Sequence, residues 1–418
     1  MLLLLSGCRT SDARNRRLPS FPVTAPAPFA NLRVLDLSQG LAGPYCGMLL
    51  AHYGADVVKL EPPGGDWARA LGTRYGQHSA LDVACNRGKR SLVLDLKKDD
   101  GRAAAQRIAG RCDVVLESFR PGVAAKLGLG YDEVRAANPG VVYVAVSGFG
   151  QTGPYSSRPG TDMVLQSFSG MMSLNRDATG KPNRIGFLVA DTVTALYAFQ
   201  AVCVALYARR DSGNGAFLDV SLMQASAALL APKIVEAALE GDVPRQLNAP
   251  AGSYRTHDGW ITITMSKEEH FAALCRAIGR EALLTDPRFA DFTRRADNLA
   301  VLAPLVQEPL LARNTAEWIE VLERHDVLCN RVCSISDWLA DAHVRASGSY
   351  ETCGITGMGE VPIASIPGSD ALPHSNTHDA WPEIGEHSEQ VLARYGFSGD
   401  EIRQMIEQGA TRTVEGAR

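Results

Sequence analysis

The chain from residue 31 onward alternates short apolar runs with amphipathic stretches. The runs 32–37 (LRVLDL), 55–61 (ADVVKLE) and 141–147 (VVYVAVS) predict buried β-strands, and the segment 44–53 predicts a helix. Parallel strands are joined by crossover helices, so this alternation predicts an open α/β sheet that helices cover on both faces.

Gly and Pro residues mark where this regular alternation ends. The segment 148–162 (GFGQTGPYSSRPGTD) is rich in Gly, Pro and Ser and predicts a long loop. Beyond it the patterns predict helices at 163–172 and 192–210, a strand at 217–221 and a helix at 222–239. A smaller α+β region follows from about residue 249, with a strand at 260–265 and helices at 268–278 and 315–324. The last predicted helices are 388–395 and the one after the capping box at 398–401.

The N-terminal residues 1–30 predict an irregular lead-in. Leu5–Cys8 is similar to the lipidation site of bacterial lipoproteins. However, the apolar run before it holds four Leu and no basic residue, whereas a signal peptide needs roughly 7–15 apolar residues. Residues 18–29 are rich in Pro and Ala, which is typical of irregular chain.

Composition and charge narrow the class of protein. The 418 residues carry 42 Lys and Arg against 46 Asp and Glu, a net charge of −4, which favours neither nucleic acid nor an anionic membrane as a partner. Nine scattered Cys residues are unlike the disulfide framework of a secreted protein and favour a reducing, cytoplasmic location. The uncharged segment 192–208 lies at the short end of a membrane span, so we predict a buried core helix there.

Asp191 is the residue that the sequence singles out for chemistry. It follows the apolar run 185–190 and stands directly before the uncharged helix. As an N-cap its carboxylate would accept backbone N–H groups. As a nucleophile it would use the same helix terminus to stay ionised in an apolar setting. The two roles are compatible, and the pattern leaves both open.

Basic residues flank the strand predicted near residue 91. Lys89 and Arg90 precede it and Lys97 follows it. Such residues form either a solvated face or a site for an anionic cofactor with several phosphates. The turn 40–44 (GLAGP) lies where α/β folds bind phosphate, but it lacks the G-x-G-x-x-G spacing of dinucleotide-binding proteins. No pattern of metal ligands with a complete set of partners is present in the sequence.

Several longer segments follow, in order, the sequence pattern of a known protein family. They are 35–66 (LDLSQGLAGPYCGMLLAHYGADVVKLEPPGGD), 86–97 (NRGKRSLVLDLK), 114–122 (VVLESFRPG), 127–155 (LGLGYDEVRAANPGVVYVAVSGFGQTGPY), 187–198 (FLVADTVTALYA) and 384–402 (IGEHSEQVLARYGFSGDEI). Together these segments resemble the class III CoA-transferases, also called the CaiB/BaiF family. The resemblance covers about residues 31–410.

The resemblance implies a reaction and a nucleophile. In this family the Asp that ends a short apolar stretch before a long helix attacks an acyl-CoA thioester, and Asp191 occupies that position. The implied activity moves CoA from an acyl-CoA donor to a carboxylate acceptor through an aspartyl anhydride and an aspartyl-CoA thioester. CoA is then a co-substrate, and no tightly bound cofactor is implied.

The same resemblance assigns binding residues. The positions matched to CoA contacts are Leu41, Ala42, Lys89, Arg90, Leu94, Lys97, Phe119 and Lys126. The positions matched to the substrate side are Thr161, Asp162 and Gly252. Lys126 stands where some relatives have an Arg, so it keeps the charge but loses the two-pronged geometry.

The resemblance also implies an architecture. A large Rossmann-like domain is expected from residues 31–225 and 346–418, and a linker helix with a smaller α+β domain from residues 226–345. Two chains are expected to interlock as linked rings in a homodimer.

Two alternatives remain open from the sequence. The same fold serves α-methylacyl-CoA racemases, whose His base lies in a GHD-like segment; here the segment is Gly160-Thr161-Asp162, and a Thr hydroxyl is no general base near neutral pH. The other alternative is an acyl-CoA-binding relative without catalysis.

Overall fold

Two compact units make up the part of the chain that the computed structural model describes, residues 27–177, 179–241, 246, 248–369 and 381–414. The first unit runs to Ala231 and resumes at Ser349, and the second is Pro232–Gly348. Most of the predicted lead-in, residues 1–26, lies outside the described residues.

The first unit is built on a six-stranded sheet in which all neighbouring strands are parallel. Its strands are β1 (Arg33–Asp36), β2 (Asp56–Glu61), β3 (Arg90–Val93), β4 (Val114–Glu117), β5 (Val142–Ser147) and β6 (Ala216–Ser221). The order β3-β2-β1-β4-β5-β6 reverses between β1 and β4. In such sheets the carboxyl ends of the strands on either side of the reversal form a crevice. The predicted α/β fold with a parallel central sheet is confirmed.

Helices cover both faces of this sheet, as the alternation predicts. The helices before residue 231 are α1 (Ala42–His52), α2 (Ala80–Asn86), α3 (Asp99–Ala109), α4 (Val123–Lys126), α5 (Tyr131–Ala137), α6 (Asp162–Phe168), α7 (Met171–Leu174), α8 (Val189–Ser212) and α9 (Leu222–Leu229). One face holds a core with Leu50 of α1 and Ala198 of α8. The opposite face holds a core with Ile108 of α3.

The second unit has its own sheet and its own core. Its strands are β7 (Gly252–Arg255), β8 (Trp260–Thr264) and β9 (Leu328–Arg331), with β8 in the centre and antiparallel pairing throughout. Its helices are α10 (Ala231–Glu240), α11 (Glu268–Ala277), α12 (Phe292–Asp297), α13 (Leu299–Leu310), α14 (Thr315–Arg324), α15 (Ile335–Ala340) and α16 (Ala342–Ala346). Ile261 and Ile263 of β8 pack with Leu274 of α11 and Leu322 of α14.

The C-terminal part returns to the first unit. It contributes the hairpin of β10 (Tyr350–Ile355) and β11 (Gly359–Ala364), then α17 (Ser388–Arg394) and α18 (Gly399–Glu407). The predicted capping box is present, since Ser398 and Glu401 bond each other's backbone N–H. These residues also cover the open edge of β3: Ser388 Oγ accepts the Val93 N–H at 3.2 Å, and Thr411 Oγ1 donates to the Val93 carbonyl at 2.6 Å.

Two predicted helices are each broken in two, for local reasons. The helix predicted at 163–172 stops at Phe168 and restarts after Gly170, whose φ of 86° is a left-handed conformation that ends a helix. The helix predicted at 222–239 is interrupted at Leu230. Pro232 lies just beyond the interruption, and a Pro inside a helix clashes with the carbonyl four residues earlier.

Helix α8 is longer than predicted and is buried on one side. By length and composition it could cross a membrane, and 44% of its most apolar window is buried inside the protein. Ala195, Ala198 and Val202 pack into the core with the sheet, whereas Val204 and Tyr207 are exposed. The prediction of a core helix is therefore right for one side of α8 only.

Buried ion pairs lie beneath the carboxyl edge of the sheet. The pairs are Asp36–Lys89 at 2.7 Å, Lys59–Asp66 at 2.9 Å, Glu61–Arg69 at 2.7 Å and Arg69–Asp82 at 3.4 Å. Burial alone would raise the pKa of Asp36, but Lys89 and Lys59 hold it below its ordinary value. The same competition between burial and Arg69 lowers the pKa of Glu61. These side chains therefore stay charged because they are paired.

The long loop predicted at 148–162 has its two ends in contact. A Cβ added to Gly148 would lie 2.7 Å from the Cα of Gly160, closer than real Cβ contacts come. The Gly160 backbone leads directly into Asp162, the first residue of α6. Small residues at both ends are thus needed to close the loop and to place α6.

We expect Lys89→Met to destabilise the protein by about 3–5 kcal/mol, because it removes the buried cation that bonds the Asp36 carboxylate directly. Arg90→Met is the matched control: its pair with Asp56 is partly exposed, and Arg394 also pairs with Asp56, so the loss should be about 0–1 kcal/mol. Urea denaturation measures both. Equal losses for the two variants would contradict this account.

We expect Gly148→Ala to cost about 1–3 kcal/mol, because the added methyl group forces the loop ends apart. Gly64→Ala is the control, since a Cβ there meets nothing within 4 Å. The midpoint of thermal unfolding of each variant checks this prediction, and a Gly148→Ala protein as stable as Gly64→Ala would refute it.

Candidate active site

The N-terminus of α8 lies at the carboxyl edge of the sheet. At the other end of the helix, Arg209 donates to the Gly140 carbonyl at 2.9 Å and pairs with Asp113 at 3.3 Å. These two partners precede β5 and β4, so the end of α8 lies at the amino edge. Helix α1 packs against α8 and starts directly after β1, so both helices begin at the same edge.

Asp191 is the third residue of α8, and Leu188 occupies the N-cap position. The N-cap role considered for Asp191 is therefore wrong. Its carboxyl oxygens have no hydrogen-bond donor among the described residues, although the residue is partly buried. An unpaired carboxyl group in a helix's first turn is available for chemistry.

Asp162 performs the capping instead. Its Oδ2 accepts the backbone N–H of Ala190 at 2.7 Å and that of Asp191 at 3.3 Å. Its Oδ1 accepts the Gln166 Nε2–H at 2.6 Å. Asp162 is buried, and it occupies the helix-terminal amides that would otherwise stabilise the Asp191 carboxylate.

The pKa of Asp191 is raised, to about 7. Burial is the larger cause, since it penalises the charged form, and the negative charge of Asp162 is the second. The expectation that the helix terminus keeps Asp191 fully ionised is corrected: the group titrates near neutral pH. Carboxyl groups shifted this far are typical of functional sites.

The turn after β1 and the turn after β4 are joined at the reversal of strand order. The Gln39 N–H donates to Ser118 Oγ at 2.9 Å. This bond brings the predicted CoA residues Leu41 and Ala42, at the start of α1, to the same crevice as Phe119. Phe119 is half-buried and packs on the core beneath α3.

Four predicted CoA-binding cations divide into two groups. The Lys89 ammonium is buried and donates to Asp36, Asn86 and the Pro44 carbonyl, so its three hydrogens are used. Arg90 pairs with Asp56 at the amino edge, away from the crevice. Lys97 and Lys126, by contrast, are exposed and have no ion pair among the residues that the structure describes.

Helix α3 holds the backbones of Lys97 and Lys126 near one another. Arg102 donates to the Lys97 carbonyl at 3.0 Å, and Gln106 donates to the Leu127 carbonyl at 3.0 Å. Residues four apart lie on one helix face, about 6 Å apart along the axis. The backbone carbonyls of Lys97 and Leu127 are therefore held by neighbouring positions on one face of α3.

The remaining predicted residues are dispersed. Leu94 is fully buried in the core. Thr161 is exposed at the N-cap position of α6, with no side-chain capping bond. Gly252 begins β7 in the second unit.

Two residues at this edge were not predicted from the sequence as functional. Gln166 is fully buried and bonds Asp162; its only sequence signal is the four-residue spacing on α6. Glu117 ends β4 and accepts the Phe119 N–H at 2.6 Å. Burial without a cation raises the pKa of Glu117 to about 7.

Known proteins match this chain over most of its length. The profile of CoA-transferase family III matches residues 29–388. The chain is 33% identical to a succinyl-CoA--D-citramalate CoA-transferase of Chloroflexus aurantiacus, over 91% of this chain and 97% of that one. It is also 33% identical to a succinate--glutarate CoA-transferase of Agrobacterium fabrum, over 88% and 95%. The crystal structure of a CaiB/BaiF family protein from Brucella suis superposes with a TM-score of 0.77 at 30% identity, covering 89% of this chain and all of the other. The chain therefore belongs to CoA-transferase family III, and it is a CoA-transferase.

Proposed function

We propose that this enzyme moves CoA between two carboxylic acids and that Asp191 is the nucleophile. The observation that carries the proposal is the Asp191 carboxyl group, partly buried at the carboxyl edge of the sheet with no hydrogen-bond donor among the described residues. A poorly solvated carboxylate is a competent nucleophile toward a thioester. CoA enters as part of the acyl-CoA substrate.

The reaction proceeds in two pairs of steps. An Asp191 oxygen attacks the donor's thioester carbon, the C–S bond breaks, and CoA leaves as a thiolate. The thiolate then attacks the Asp191 carbonyl of the mixed anhydride, which releases the donor acid as a carboxylate and leaves an aspartyl-CoA thioester. The acceptor carboxylate repeats both steps in reverse. Overall one thioester is exchanged for another, so no ATP is consumed.

CoA is proposed to lie along the carboxyl edge. Lys97 and Lys126 would meet its phosphates, and Phe119 would line the adenine end. Leu41 and Ala42 would contact the pantetheine arm, which then ends near the start of α8. Lys89 and Arg90 are left out of this assignment, since both are held in ion pairs within the protein.

Short dicarboxylic acids are the proposed substrates. The relatives from Chloroflexus and Agrobacterium are named for succinyl-CoA or succinate together with a second dicarboxylate. Racemisation is not proposed, because Thr161 stands in the place of the required base and a hydroxyl cannot serve that role near pH 7.

A homodimer is the proposed assembly. Large apolar side chains are exposed on one side of α8 in the isolated chain, opposite the side packed on the sheet: Leu196, Tyr197, Val204 and Tyr207. Apolar patches of this kind are typical of interfaces. A cytoplasmic location is proposed because the cysteines of the described residues are free thiols.

We expect incubation with succinyl-CoA, without acceptor, to place a covalent adduct on Asp191 that peptide mass spectrometry detects. Asp191→Asn should abolish both the adduct and the transfer of CoA to glutarate, because the amide is not a nucleophile. Asp132→Asn, which changes an exposed carboxylate in the first turn of α5, is the control and should behave as the unmodified enzyme.

The alternatives give distinct results in the same experiment. Solvent deuterium entering the α-carbon of a 2-methylacyl-CoA, with no adduct, would indicate a racemase. Binding of acyl-CoA with neither adduct nor deuterium exchange would indicate a protein that only binds.

We expect the rate of adduct formation to rise with pH as Asp191 ionises, with a midpoint near its pKa of about 7. Below that midpoint the carboxyl group is protonated and inert, so at pH 5 the rate should be roughly one hundredth of its plateau. Quenched-flow mass spectrometry between pH 4.5 and 9 measures this profile. A midpoint near the ordinary Asp value of about 4 would contradict the predicted pH dependence.

A further inference from the structure

We propose that Asp162, oriented by Gln166, sets the basicity of Asp191 by occupying the amides of the α8 terminus, and that it thereby favours acylation of Asp191. This inference rests on the proposed function for its catalytic consequence. It assigns Asp162 and Gln166 as positioning residues that act through Asp191.

The first step of the argument concerns the helix terminus. The free N–H groups of a helix's first turn stabilise a nearby anion. At α8 the N–H groups of Ala190 and Asp191 both point to Asp162 Oδ2, at 2.7 and 3.3 Å. The anion stabilised by these amides is therefore Asp162, and Asp191 is left without this stabilisation.

The second step concerns how Asp162 is held. Gln166 Nε2 donates to Asp162 Oδ1 at 2.6 Å and to the Phe187 carbonyl at 3.2 Å. Gln166 Oε1 accepts the Ile185 N–H at 2.9 Å. One buried amide side chain thus ties α6 to the segment leading into α8, and it fixes the orientation of the Asp162 carboxyl group.

The third step concerns charge in the reaction. Asp191 is negative as a nucleophile, but it carries no charge in the anhydride or in the aspartyl-CoA thioester. The negative charge of Asp162 therefore raises the energy of free Asp191 and leaves the covalent intermediates unaffected. Acylation relieves this repulsion. The electron pair of the broken C–S bond leaves on the CoA sulfur, and Asp162 forms no bond to the substrate.

No charged group other than Asp162 perturbs the Asp191 carboxyl among the residues that the structure describes. The elements packed against α8 otherwise contribute the titratable groups Tyr45, Cys46 and His52 of α1, Tyr143 of β5 and Asp219 of β6.

The test measures the titration of Asp191 with and without the charge of Asp162. Coupling of an amine by carbodiimide requires a protonated carboxyl group, so its pH dependence at the Asp191 peptide reports basicity without any acyl-CoA. Asp162→Asn should move the midpoint down by about one pH unit. It should also lower the equilibrium fraction of Asp191 adduct formed from succinyl-CoA, by roughly tenfold in the equilibrium constant for each pH unit.

Gln166→Leu is the second variant, and it should move the midpoint in the same direction by less. Asp132→Asn is the control and should leave the midpoint unchanged. Midpoints equal to that of the unmodified enzyme in both variants would overturn the inference. So would a midpoint near pH 4 in the unmodified enzyme.

The two proposals fail in different ways. If the carbodiimide midpoint shifts as expected but no adduct forms in the unmodified enzyme, the tuning of Asp191 stands, and both the proposed nucleophile and the effect on acylation fall. If the adduct forms but its equilibrium is the same in Asp162→Asn, the transferase chemistry stands and the effect on acylation is refuted.

Discussion

The structure depends on charge compensation beneath the carboxyl edge of a parallel sheet. Strands β1 and β2 end in Asp36 and Glu61, which are buried and would be costly to fold without partners. Lys89 provides the partner of Asp36 from 53 residues further along the chain, and Arg69 provides that of Glu61 from the turn after β2. The same network reaches the last part of the chain, because Arg69 also donates to the Pro382 carbonyl at 3.1 Å. The network thus joins the turn after β2, helix α2 and the C-terminal segment into one rigid base.

At two places on that edge a carboxyl group has no compensating cation among the described residues. Glu117 ends β4 as Asp36 ends β1, yet no cation faces it among the described residues, and burial raises its pKa. Asp191 lies near another carboxylate instead of a cation. The contrast separates two uses of buried acids: paired ones support the fold, and unpaired ones are placed where a change of protonation state is accessible near neutral pH.

The sequence predicted the alternation of strands and helices well, because buried parallel strands are continuous apolar runs and the crossover helices have their own period. It also singled out Asp191 as a candidate, since an acid between an apolar run and an uncharged helix is unusual. The role of Lys89 could not be read from the sequence, because a cation before a strand looks the same whether it meets a phosphate or a carboxylate 53 positions away. The capping by Asp162 was equally hidden, since it depends on α6 lying against the start of α8.

The C-terminal cover on β3 has a consequence for how the protein is made. Strand β3 is the edge of the sheet, and its Val93 hydrogen-bonds with Ser388 and Thr411. These residues are synthesised nearly last, after the whole second unit. During synthesis the edge of the sheet therefore stays exposed until residues near 411 emerge from the ribosome. An exposed strand edge is a surface on which nascent chains aggregate. The smaller unit has all of its strands by residue 331 and can form its own core first. Folding of the first unit is thus completed by residues that are made after the smaller unit.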